Sequence, residues 1–232
     1  VADSLPFDVP SIADLDAQPP AYRDALEEMV CGLAINELHA AMSFDEPAIA
    51  LAPTPYAKWL SWRLAMEAVE HHRAFLELAR RIGIPEGRLD PGRGRLPVFG
   101  FELRTWPEFC VIKAIADSAQ ALQAEDLASC SFHPLRNIAR AQLPEGRLHA
   151  RLGRELCLEL LQSGLASDVQ NALDRCFPLV PAVFGGMESG KEAACRRFGL
   201  KRRSAEEMRR EFLARSGALI VKDFGLRMPS LH

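Results

Sequence analysis

The sequence predicts an all-α protein, a four-helix bundle with extra C-terminal helices, and three observations predict it. Apolar residues recur at helical spacing over several long segments, and no segment of useful length alternates as a strand does. Acidic residues and histidines also recur at matching places on successive helices, as they do where a bundle core holds metal. At 232 residues the chain suffices for one large domain. We expect a single helical domain over residues 21–232, preceded by an extended leader, residues 1–20, that wraps the surface or is disordered.

The elements follow in order. Leu26, Met29, Val30, Leu33 and Ala34 set a helix from Ala21 to about Ala50. Pro53-Thr54-Pro55 then resets the chain, with Thr54 suited to cap the next helix. That helix, Tyr56 to Ile82, carries Trp59, Leu60, Leu64, Val69, Phe75 and Leu78. The glycine- and proline-rich stretch 83–104 is a loop, and its Gly92-Arg93-Gly94-Arg95 reads as solvated rather than as an anion site. A third helix runs from Thr105, with Pro107 in its first turn, to about Ser129. The fourth runs from His133-Pro134 to about Gln162 and contains Pro144, which removes one backbone hydrogen bond and predicts a bend or bulge. A fifth segment, Ser167 to Phe184, contains Pro178 and Pro181 and ends at Gly185-Gly186. The last helix, Ser204 to Ser216, opens with a Ser-Ala-Glu-Glu capping box.

Composition narrows the function classes. A net charge of -3 gives no basic footprint for nucleic acid. No apolar run is long enough to span a membrane, and the acidic, proline-containing start is not a signal peptide. Six cysteines without a close-spaced pair argue against a zinc ribbon or redox motif. They suit buried free thiols in a reducing cytosol, so a cytoplasmic protein is expected.

The candidate chemistry lies in two pairs four residues apart, Glu67/His71 and Glu145/His149. Each follows an earlier acid at nearly the same distance, Glu37 in the first case and Asp117 in the second. On a helix, positions i, i+3 and i+4 share a face, so Glu67, Glu70 and His71 form one patch and Glu145 with His149 another. Carboxylates facing a bundle core are costly unless paired or metal-bound, and such a set suits two iron ions. Structural roles are open to the same residues. Glu67 and Glu70 can pair with Arg63 or Arg73, and Asp117 with Lys113. His149 can be a hydrogen-bonded core residue, and Glu145, between Pro144 and Gly146, an exposed bend.

Several segments resemble the PaaA/PaaC family of ferritin-like proteins, subunits of the phenylacetyl-CoA epoxidase. They are Ala65-Met-Glu-Ala-Val-Glu-His-His-Arg73, Cys130-Ser-Phe-His-Pro-Leu-Arg-Asn-Ile-Ala139, Leu148-His-Ala-Arg-Leu-Gly153, Ala172-Leu-Asp-Arg-Cys-Phe-Pro178 and Phe184-Gly185. Arg197-Phe-Gly-Leu-Lys-Arg-Arg203 and Glu206-Glu-Met-Arg-Arg210 look nearer the catalytic PaaA side. The resemblance covers roughly residues 25–228. It implies a ferritin-like bundle with a non-haem di-iron centre that activates O2 and oxidises an aromatic or acyl-CoA-type substrate. Two iron ions, O2 as co-substrate, a separate reductase and a homologous or identical partner subunit are implied with it. A non-catalytic scaffold subunit with a degenerate metal site is the alternative.

The family's ligand order is Glu, Glu-x-x-His, Asp or Glu, then Glu-x-x-His. Glu37, Glu67, Asp117 and His149 match it. Glu70 falls where the first histidine belongs, and Gly146 where the last glutamate belongs. His71 and Glu145, each displaced by one residue, are the expected substitutes if a helical bulge turns them inward. Lys201, Arg202 and Arg203 form a basic cluster suited either to coenzyme A phosphates or to a solvated turn.

Overall fold

The computed structural model describes residues 7–92, 96–185 and 190–231. Its central bundle consists of α1 (Pro20–Ala40), α3 (Pro55–Arg81), α4 (Trp106–Leu127) and α5 (His133–Gln162). A short α2 (Glu46–Leu51) joins the first two, and α6 (Ala166–Cys176), α7 (Gly190–Arg197) and α8 (Ala205–Ala218) follow the bundle. The chain is thus all-α, as expected, with eight α-helices among the described residues. The most extensive helix pairings are α4 with α5 and α1 with α3, and α3 meets α5 across the bundle.

Local chemistry sets the boundaries. Thr54 Oγ1 accepts from the Ala57 N–H and Pro55 opens α3, so cap and proline act together. Thr105 and Glu108 form a reciprocal capping box on α4, and Ser204 and Glu207 do the same on α8. The described part of the leader packs on the bundle. Val9 is fully buried and pairs in parallel with Phe132, donating its N–H to the Ser131 carbonyl and accepting from the His133 N–H. The Arg93–Arg95 part of the glycine-arginine loop, and Gly186, lie outside the described residues.

Two irregularities sit where the sequence did not place them. The bulge expected at Pro144 is absent, because α5 runs as continuous α-helix through it. The helix instead widens at Ala41–Asp45, a π-helical segment one turn beyond Glu37, and again at Leu219–Asp223. The widening at Ala41–Asp45 lets adjacent Phe44 and Asp45 both face inward, buried to 4% and 1% exposure. A regular helix would set them about 100° apart.

Two glycines of α5 have opposite roles. A Cβ on Gly153 would lie 2.2 Å from the Ala114 backbone nitrogen and 2.4 Å from the Lys113 carbonyl carbon, so α4 and α5 touch backbone to backbone there. A Cβ on Gly146 would meet nothing within 4 Å. Gly153→Ala is therefore expected to destabilise the fold by about 3 kcal/mol through overpacking. Gly146→Ala is expected to stabilise it by about 0.5–1 kcal/mol through helix propensity. Urea unfolding of both variants checks the contrast, and equal effects would contradict the close approach.

One surface feature is notable. Tyr56 (64% exposed), Trp59 (49%), Trp62 (54%) and Met66 (44%) line one stripe of α3. Tyr56 stacks on Trp59, and the Arg63 guanidinium lies over the Trp59 ring. No helix among the described residues is long and apolar enough to cross a membrane. All six cysteines are buried, free thiols.

Candidate metal centre

Six of the seven acids and histidines read from the sequence converge at the middle of the bundle, and they do so in two matching halves. In the first half, His71 Nε2 lies 2.7 Å from Glu145 Oε2, and His71 Nδ1 lies 3.7 Å from Glu37 Oε2. In the second, His149 Nε2 lies 2.6 Å from Glu67 Oε2, and His149 Nδ1 lies 3.8 Å from Asp117 Oδ2. The halves exchange α1 for α4 and α3 for α5, so each histidine bonds to the glutamate of the opposite Glu-x-x-x-His pair. The two imidazoles lie 6.5 Å apart at 26°. Glu37, His71, Asp117 and His149 are buried, and Glu145 closes one side from an exposed position.

Local packing explains the placement. His71 points inward while the adjacent His72 donates its Nδ1–H to the Ala34 carbonyl, tying α3 to α1. Glu37 also accepts from Gln120 Nε2 at 2.5 Å. Glu67 accepts from Arg63 Nε at 2.7 Å, so its surface pairing and its core bond coexist. Glu70, by contrast, is exposed and does not join the set.

The residue that sequence reasoning used only as a partner for Asp117 is central. Lys113 is 4% exposed, and its Nζ lies 2.6 Å from Asp117 Oδ2, off the hydrogen-bonding direction, and 3.1 Å from Asp45 Oδ1. The π-helical widening after α1 is what brings Asp45 to it. The signal was present in the sequence as a single lysine inside the apolar run Phe109-Cys-Val-Ile-Lys-Ala-Ile115. A cation there must be exposed or paired.

Electrostatics separate the two halves. Burial disfavours a charged His71, but the carboxylates of Glu37 and then Glu145 outweigh it and hold the imidazolium up to about 9. Burial and then the Lys113 charge hold His149 down to about 4 despite its bond to Glu67, so it is neutral and donates Nε2–H. Burial pushes Asp117 up to about 6 against the pull of Lys113. Burial opposes the Lys113 charge too, but Asp117 and Asp45 hold its pKa above the ordinary lysine range.

These shifts give a pH dependence for the metal-free protein. His71 in the folded state lies above its ordinary value of 6.5, so its contribution is complete below pH 6.5 and is lost as pH rises through 9. The loss is ~3 kcal/mol at most. His149 has the opposite sign: its contribution is complete above pH 6.5 and is lost as pH falls through 4. Asp117, raised from 3.8, favours the fold at acid pH and loses that contribution as pH rises through 6, partly offsetting His149. Urea unfolding between pH 7 and 9 should therefore show a stability decline that is flatter in His71→Gln. Identical slopes would remove His71 as its source.

The donors present are four carboxylates and two imidazoles from four helices, which in type and number fit two iron ions. As the side chains stand, no group of three or more His, Cys, Asp or Glu among the described residues converges closely enough to hold a metal ion. The imidazole nitrogens are engaged by carboxylates, and Lys113 occupies Asp117. The donor set fits the metal, and its resting arrangement is a closed network of hydrogen bonds and ion pairs.

The basic cluster does not act as one patch. Arg203 turns inward, bonding Asp126 and Glu211 and donating to the Leu122 carbonyl. Arg202 is exposed, with its backbone N–H on Asp126. Lys201 lines a cleft of about 610 Å³ between α1, α4, α7 and α8.

Comparison with known proteins agrees with the resemblance. The family model described as phenylacetic acid catabolic protein matches residues 8–232. No curated protein matches the chain. With nearly its whole length matched, the chain belongs to the PaaA/PaaC family of phenylacetic acid catabolic proteins.

Proposed function

We propose that this chain is a non-haem di-iron oxygenase-like protein of phenylacetate catabolism, acting in the cytoplasm on an aromatic or acyl-CoA-type substrate. The observation that carries the reading is the twofold repetition of carboxylate, glutamate and histidine at the bundle centre, with matched distances of 2.7 and 2.6 Å and of 3.7 and 3.8 Å. A structural salt-bridge network has no need of such a repeat. Glu37, His71 and Glu145 would hold one iron, and Glu67, Asp117 and His149 the other. Two irons held there supply the activation of O2.

The chain's own residues do the rest. Loading requires His71 to give up the proton that its carboxylates hold in the metal-free state, and both histidines to release their glutamates. Lys113 must leave Asp117, and Asp45 offers it a second carboxylate at 3.1 Å. Phe75, Leu127 and Ala139 line a small cavity against Glu37 and His71, where apolar walls limit water. Lys201 supplies a cation for a phosphate or carboxylate on the substrate. An electron-supplying reductase and a homologous or identical partner subunit belong to the same reading. The α3 stripe holds four of the eight exposed large hydrophobic residues among those described, an apolar surface for such a subunit.

Lys113 favours a second reading, a non-catalytic scaffold whose buried charges neutralise one another. Anaerobic titration with Fe(II) followed by O2 separates them. The oxygenase reading predicts two Fe(II) bound per chain and O2 consumption that depends on them. The scaffold reading predicts neither.

A further inference from the structure

The two halves of the candidate centre match in their acids and histidines and differ in the charge set against them. Glu37, the α1 acid of the first half, accepts from Gln120, a neutral amide, at 2.5 Å. Asp117, its α4 counterpart in the second half, faces the Lys113 ammonium at 2.6 Å. Glu67 of the second half also pairs with Arg63 at 2.7 Å. Among the described residues, no lysine or arginine bonds Glu37 or Glu145 of the first half. The repeat is therefore broken by charge.

Lys113 is held unequally by its two carboxylates. It donates a hydrogen bond to Asp45 Oδ1 at 3.1 Å. It is closer to Asp117 Oδ2 but misaligned, and that buried oxygen accepts no hydrogen bond. A metal ion on Asp117 would bind at about 2 Å. With the ammonium 2.6 Å from the same oxygen, the two cations would lie within about 5 Å, where like charges repel strongly in a buried site. They cannot share Asp117. The ammonium is tethered to α4 and cannot leave the protein, whereas the proton on His71 can be lost to solvent. Asp45, on the π-helical turn, is the carboxylate to which Lys113 is already bonded.

We propose that Lys113 is the resident cation of the second half and makes the centre load divalent metal in order. The Glu37/His71/Glu145 position fills first. The Glu67/Asp117/His149 position fills only as the ammonium moves from Asp117 to Asp45. Lys113 and Asp45 are thus positioning residues for metal uptake, and neither is a ligand. The proposal deepens the di-iron reading and rests on it, since it concerns the same two positions.

The test is anaerobic titration of the full chain with Mn(II), whose free ion is counted by electron paramagnetic resonance. At pH 8.5 the His71 proton, held up to about 9, weakens the first position only about 4-fold. Wild type should bind two ions in steps separated by about 30-fold or more. His149→Ala should lose the weaker step, and His71→Ala the tighter one. Lys113→Met should tighten the weaker step by about 10-fold or more and leave the tighter one in place. Asp45→Asn, which removes the carboxylate that receives the ammonium, should weaken the weaker step by about 10-fold or more. A merely structural lysine would change both steps alike. Should Lys113→Met not fold, Lys113→Gln with Asp45→Asn makes the same comparison with one buried carboxylate fewer. Thermal melts confirm that each variant is folded. Two equal steps in wild type, or a separation that Lys113→Met leaves unchanged, overturns the proposal while the di-iron reading stands. One ion in wild type and two in Lys113→Met would support the resident cation and sink the two-iron reading. No binding in either protein overturns both.

Discussion

Lys113→Met should lower the stability of the metal-free protein by about 3–5 kcal/mol, because it removes the cation between two buried carboxylates and leaves both uncompensated. Lys113 Nζ lies 2.6 Å from Asp117 and 3.1 Å from Asp45, and all three side chains are buried. Neutralising one carboxylate at the same time should recover part of the loss, so Lys113→Met with Asp45→Asn should be more stable than Lys113→Met alone. Denaturant unfolding of the two single variants and the double variant measures this coupling. The same variants bear on function. If iron binds at Asp117, its charge replaces that of the ammonium, and the cost of Lys113→Met should shrink in iron-loaded protein. A cost unchanged by iron would assign Lys113 to a scaffold.

His149→Ala should empty the second half of the centre. Iron retention should fall from two ions per chain to at most one, with affinity at the vacated position reduced by at least about 100-fold, and O2 consumption should cease. The estimate takes the effect of losing an orienting partner, ~10–100-fold, as a floor for losing the ligand itself. Glu67→Ala should act on the same half, and Glu145→Ala on the other. Glu70→Ala is the internal control, because Glu70 is exposed and outside the set. Iron analysis after desalting distinguishes these outcomes. Equal iron content in Glu70→Ala and His149→Ala would contradict the assignment.

Much of the fold was legible because its signals are local. Thr54 with Pro55, Thr105 with Pro107 and Ser204 with Glu207 announce helix starts within four residues of sequence, and each helix begins there. The π-helical turn at Ala41–Asp45 was not legible. Nothing in Ala41-Met-Ser-Phe-Asp45 marks it, and its cause is tertiary: Phe44 joins the core while Asp45 reaches Lys113 across the bundle. Pro144 misled in the opposite sense, since the long packing of α5 on α4 carries the helix through it. The short α7 was missed because Gly190–Arg197 is mostly polar and lacks an apolar period.

The candidate centre was legible in its members and not in its wiring. The Glu-x-x-x-His pairs and the acids preceding them sit where helical periodicity puts them. No bulge was needed to bring His71 and Glu145 together, because a spacing of four leaves both on the inner side of their helices. The crossed pairing of His71 with Glu145 and His149 with Glu67 depends on how α3 faces α5, which no local pattern encodes. Nor did spacing reveal that Arg203 would turn away from Lys201 to bind Asp126 and Glu211.

The most direct test of the central claim is anomalous diffraction at the iron absorption edge, using crystals of protein expressed with supplied iron. The di-iron reading predicts two peaks, one among Glu37, His71 and Glu145 and one among Glu67, Asp117 and His149, with Lys113 withdrawn toward Asp45. Absence of both peaks, with Lys113 still on Asp117 and each histidine still on its glutamate, would contradict it.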